Sequence, residues 1–137
     1  MWAKRIEDLA AFQLGNEFKL EVYRLIDGSP TAQRDFKFRD QIRHAAAGIE
    51  RNLNEGFPRR LETEFATFIR YGLASLAEAK GHVRDGIDRR YFSETDCRDA
   101  LALARRCEDV CSALYRRIQQ SIDAKRRQQI RRPGSSS

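Results

Sequence analysis

From Leu101 to Ile122 an apolar side chain returns every three or four positions, at Leu101, Ala104, Cys107, Cys111, Leu114, Ile118 and Ile122. That interval follows the turn of an α-helix and places all of them on one stripe. Ser93 is a good N-cap for this segment, with Asp96 three residues on. Three earlier segments carry the same signature. Arg5 to Asp27 has two neighbouring stripes: Leu9, Phe12, Tyr23 and Ile26, then Leu14, Phe18, Val22 and Leu25. This is wider than one monomeric core face needs, and the segment closes at Gly28 in "GSPT". Arg34 to Glu55 carries Phe38, Ile42, Ala45, Ile49 and Leu53, with Gly56 expected as a left-handed C-cap. Glu62 to Ile87 is lined by Leu61, Phe65, Phe68, Gly72, Leu76, Ala79 and Val83. Its small residues Ala66, Ala74, Ser75 and Ala77 would let a neighbouring helix come close. No segment alternates with a strand period for long. The expected fold is all-α, an antiparallel up-down four-helix bundle.

A chain of 137 residues suffices for one domain that needs neither metal nor disulfide staples. The bundle is expected over residues 1–124, and 125–137 is expected to be a basic, disordered tail. No apolar run approaches the roughly 20 residues of a membrane span. The start, "MWAKRIEDLA", has acids and no long apolar stretch, unlike a signal peptide. Three cysteines cannot all pair within one chain, so reduced thiols in a cytoplasm are expected.

Catalytic constellations do not form. Di-iron bundles need Glu-x-x-His pairs, but Gln41 and Ala79 stand three residues before His44 and His82. Cys97, Cys107 and Cys111 have no common zinc spacing, and cysteines on a helical stripe are normally small core residues. No residue clearly orients either histidine for a Cys–His nucleophile, and the glycines form no phosphate loop. The sequence reads as a non-enzyme without cofactor or metal.

What remains is charge. The 26 Lys+Arg outnumber the 20 Asp+Glu, a balance that favours acidic partners. The segment "RNLNEGFPRR" between the second and third helices concentrates the question. Glu55 lies in a last helical turn, where the macrodipole disfavours an anion, so it needs a partner. Asn52, Glu55 and Gly56 are expected to form a structural turn clamp, with Asn52 bonding to backbone across the bundle. Arg39, Arg43, Arg51, Arg59, Arg60 and Arg70, with Lys125, Arg126 and Arg127 of the tail, are the candidates for contact with a phosphate backbone. Glu50, Glu55, Glu62 and Glu64 neutralise part of that surface, and aromatics lie mostly in the apolar stripes, so any binding should be poor in sequence preference. The competing reading is a structural or protein-interaction module with no nucleic-acid role.

The stretch from Gln41 to Lys80 also resembles the bacterial four-helix-bundle family named after the protein encoded in intervening sequences of 23S ribosomal RNA. Gln41, Arg43, Ala45, Ala46, Ile49, Asn52, Glu55 and Gly56 fit its pattern. So do Arg59, Arg60, Phe65, Phe68, Ala74, Ser75, Leu76 and Glu78. Leu61, His44 and Asn54 depart from it. The family is similar to the accessory proteins of diversity-generating retroelements. The resemblance therefore implies a basic, ring-shaped pentamer that associates with RNA or DNA and, where a retroelement is present, with a reverse transcriptase.

Overall fold

The computed structural model describes residues 3–131, and every regular element among them is helical. A single 3-10 turn, Ile6–Asp8, precedes α1 (Ala10–Asp27). Then come α2 (Pro30–Arg34), α3 (Phe36–Ala46) and α4 (Gly48–Gly56). A second 3-10 turn, Phe57–Arg59, leads into α5 (Glu62–Asp88), and α6 (Glu94–Ile130) closes the chain. The caps follow local chemistry. Ser29 Oγ accepts from the Ala32 N–H at 3.2 Å, with Pro30 in the first turn of α2. Asp35 Oδ1 accepts from the Phe38 N–H at 3.2 Å, and Ser93 Oγ from the Asp96 N–H at 3.0 Å.

Three expectations are corrected. The segment expected as one helix from Arg34 to Glu55 is two, broken at Ala47 (φ −82°, ψ −4°). The break falls where α4 meets α5 most closely: a Cβ on Gly48 would stand 2.2 Å from Ser75 Cβ. Arg51 Nη1 donates to the His44 C=O at 3.1 Å across the break, and the Arg51 N–H resumes the ladder to the Ala47 C=O at 3.0 Å. Second, Gly56 is no left-handed cap. It is helical (φ −86°, ψ −37°) and buried, because a Cβ there would stand 2.7 Å from Phe68 Cβ. The left-handed residue of this connection is Arg60 (φ 56°). Third, the basic segment expected to be disordered from Lys125 is helical as far as Ile130; residues 132–137 lie outside the described ones.

Ile49 sits at the centre, 1% exposed, between two glycines. A Cβ on Gly15 of α1 would stand 2.3 Å from its Cγ2, and one on Gly72 of α5 would stand 3.3 Å from its Cδ1. Contacts along α5 run in opposite order on its neighbours. Phe68, Ser75 and Gly86 meet Gly56, Gly48 and Phe38, while Glu62 and Lys80 meet Lys125 and Glu108 of α6. The two stripes of α1 are largely covered within the chain. Phe18, Val22 and Ile26 are fully buried, and Leu9 and Phe12 pack against the core. Of the small residues on α5, Ala66 is buried and Ser75 meets Gly48, whereas Ala74 and Ala77 face outward.

Cys97, Cys107 and Cys111 are all buried and unpaired. Burial pushes the Cys97 thiol up to about 11. A hydrogen bond with Cys111, Sγ to Sγ 3.9 Å, and burial hold the Cys107 thiol up as well. Among the described residues no group of His, Cys, Asp and Glu is placed to hold a metal ion, and no helix is long and apolar enough to cross a membrane.

Gly48→Ala is expected to destabilise the fold by about 1–3 kcal/mol through overpacking at Ser75. Gly81, whose added Cβ would meet nothing within 4 Å, is the control. Gly81→Ala should be neutral or stabilising by up to about 1 kcal/mol. Urea denaturation of the two variants measures both.

Candidate nucleic-acid interface

The turn between α4 and α5 is organised by Arg59. Its Nη2 donates to Glu55 Oε1 at 2.8 Å and its Nε to the Glu55 C=O at 3.1 Å. Its Nη1 lies 3.8 Å from Glu64 Oε1 on α5, and the guanidinium stands 5.0 Å from the centre of the Phe68 ring. The Glu55 side chain is 58% exposed, so its ion pair with Arg59 is worth at most about 1 kcal/mol. The contacts at this turn run through Arg59 and through Gly56 packed against Phe68. Asn52 does not reach across: its Nδ2 donates to the Gly48 C=O of its own helix at 2.8 Å. Arg60 is also in structural use. It donates to the Ala3 and Lys4 carbonyls at 2.9 and 3.0 Å and stands over the Phe57 ring at 4.3 Å.

The candidate arginines do not form one patch. Arg39 and Arg43 belong to α3, which meets the far end of α5 through Phe38 and Gly86. Gly86 is about 36 Å of helix axis from Glu62, at 1.5 Å per residue. At that far end Arg39 donates to Asp40 Oδ1 at 3.2 Å, and Arg43 lies 3.8 Å from Asp27 Oδ1. Asp35 accepts there from the Tyr91 hydroxyl at 2.7 Å and from Arg89 at 3.3 Å. The Tyr91 hydrogen bond, with the Phe38 N–H, holds the Asp35 carboxyl below its usual range. These groups satisfy one another and leave little charge to offer. Arg51 sits at the break between α3 and α4, with its guanidinium on His44.

The remaining candidates gather where α5 starts and α6 ends. Arg60, Glu62, Lys125 and Arg126 line a groove of about 340 Å³, together with Leu61, Thr63, Ile122 and Gln129. A second recess of about 170 Å³ adjoins it through Thr63, Ile122 and Arg126, and adds Arg70. Lys125 pairs with Glu62, and that hydrogen bond lowers the Glu62 carboxyl below its ordinary value. Arg70, Arg126 and Arg127 have no side-chain partner among the described residues.

Residues 7–113 match the family model described as 23S rRNA-intervening sequence protein. The chain belongs to that family. No functionally curated protein matches it. In this family member, the match spans α1 to α5 and the first half of α6, and stops before the basic end of α6.

Sequence reasoning missed the polar lining of the seam: Thr63, Thr67, Tyr115 and Gln119. Thr63, Thr67 and Arg70 are spaced to share one helix face, which is legible. Which face of α6 lies opposite is a matter of register, and periodicity does not set that.

The Glu62 carboxyl has a usual value of 4.5 and is lowered in the fold. Its contribution to stability is therefore complete above that value and is lost as pH falls through the lowered one. Lys125→Met should bring Glu62 back toward its ordinary range and flatten the fall in stability as pH drops below about 4.5. Carboxylate NMR titration and urea midpoints at several pH values measure the two effects.

Proposed function

We propose that this chain is a non-enzymatic accessory protein that holds nucleic acid through its phosphate backbone, without sequence preference. The carrying observation is the charge at one end of the molecule. From Ala113 to Arg131, α6 and its C-cap carry Arg116, Arg117, Lys125, Arg126, Arg127 and Arg131 against a single acid, Asp123. Arg60 and Arg70 add charge to the same end from the α5 side. Membership of a family named for ribosomal RNA insertions supports the choice of partner.

The fold reading that goes with this is an antiparallel up-down bundle of four helices. In it α3 and α4 act as one broken helix, and α2 belongs to the connection. The opposite running order of the contacts along α5 supports it. We further infer a homo-oligomer, with the ring-like pentamer implied by the resemblance as its form and a reducing cytoplasm as its compartment. The outward-facing Leu20, Phe36 and Tyr71, each more than half exposed, are the side chains such an assembly would cover. The protein-interaction reading shares the oligomer and lacks the nucleic acid.

A binding measurement decides between them, and a mass measurement tests the oligomer that both share. Wild type should shift a mixed RNA and DNA pool at about 50 mM salt and release it steeply as salt rises. Arg126→Glu with Arg127→Glu should weaken that shift while the fold persists. A pool that stays unshifted at low salt removes the nucleic-acid role. Light scattering should return a multiple of the 15.9 kDa chain mass, and a monomer at micromolar concentration would remove the oligomer.

A further inference from the structure

The two recesses along the α5/α6 seam share residues and form one trough. Between Tyr115 and Gln129 it follows roughly 20 Å of helix axis. Its upper part is polar: Thr63, Thr67 and Arg70 from α5 face Tyr115, Gln119 and Arg126 from α6. The guanidinium groups of Arg70 and Arg126 flank it, and among the described residues no carboxylate pairs with either. One acid lines the lower part, Glu62, and Lys125 pairs with it. Asp123, next along α6, accepts from Gln119 at 3.2 Å. The balance in the trough is Arg60, Arg70, Lys125 and Arg126 against Glu62, so its charge is positive. Farther along, the Lys80–Glu108 bridge at 2.7 Å ties the same two helices together.

We propose that this trough is the binding site for a single nucleic-acid strand, with Arg70 and Arg126 on successive phosphates and Tyr115 as the surface for a base. This rests on the nucleic-acid reading above and gives it a site and a strand state. Helices packed side by side have axes about 8–10 Å apart, so the recess between them is narrow. A duplex, whose wider groove alone measures about 12 Å, meets such a seam only with its outer phosphates. A single strand can lay its backbone between the two arginines and turn a base inward. Pairing a positive groove with an aromatic side chain is how sequence-tolerant single-strand sites work. The Thr67 hydroxyl donates to the Thr63 C=O at 3.1 Å, which leaves the Thr63 hydroxyl and the second N–H of the Gln119 amide to donate to phosphate or sugar oxygens.

The test is fluorescence anisotropy with labelled oligouridine and oligothymidine of about 20 nucleotides, and with a blunt duplex of equal length, on the full chain. Single strands should bind at least about tenfold more tightly than duplex. Arg70→Ala with Arg126→Ala should weaken single-strand binding about tenfold or more and reduce the salt slope by about 1.4, two phosphate contacts' worth. Tyr115→Leu, which keeps an apolar side chain against the core, should weaken it about tenfold. Arg39→Ala, at the far end of the molecule, should change nothing. Circular dichroism of each variant separates lost binding from lost fold. Equal or tighter binding of duplex overturns the proposal. So does single-strand binding that survives both the double arginine and the tyrosine substitutions, although nucleic-acid binding as such then stands. Failure of the wild type to bind any of the three probes overturns both.

Discussion

Everything in this fold is arranged around the room that one isoleucine needs. Ile49 enters α4 just after the break at Ala47 and points into the space left by Gly15 and Gly72, on two different helices. Neither glycine is needed for its backbone conformation. A methyl group at Gly15 would occupy the volume of Ile49, and one at Gly72 would press on its Cδ1. Gly48 and Gly56 repeat the arrangement on either side, against Ser75 and Phe68. Interiors pack at crystal-like density, so these contacts fix how α1, α4 and α5 sit relative to each other. The break between α3 and α4 then follows. α4 must lie close on α5 at Gly48, whereas α3 must bring the larger Phe38 against Gly86 and Phe92.

That geometry explains what could be read from sequence and what could not. The helices announced themselves because an apolar stripe has a period, and α5 and the start of α6 lie where the stripe and the Ser93 cap put them. The break at Ala47 has no such signal: Phe38, Ile42, Ala45, Ile49 and Leu53 stay in phase across it. Gly56 looked like a terminator because a glycine just past the last residue of a helical stripe usually is one. Only the distance to Phe68 reveals it as a packing residue.

The site was harder to read for a related reason. Charge is visible in a sequence, but its availability is not. Arg59 and Arg60 seemed to be spare cations of a turn, and the structure gives both of them internal acceptors. Arg39 and Arg43 seemed to be their neighbours, and lie near the other end of α5. Among the described residues, Arg70 and Arg126 remain without side-chain partners; they stand 56 positions apart in the sequence and meet only because α6 returns along α5.

The length of α6 has a thermodynamic consequence of its own. Lys125 meets Glu62, the first residue of α5, so the helix from Arg126 onward extends past that partner, and those residues are exposed. Little more than one turn of helix without a packed face is marginal in water. Here the cations Arg126, Arg127 and Arg131 lie at the negative end of the helix dipole, which favours them, while their mutual repulsion opposes it. The balance shifts with whatever neutralises them. The end of α6 should therefore fray at low ionic strength and tighten when counterions or a polyanion gather on it, so that its helicity registers the charge of its surroundings.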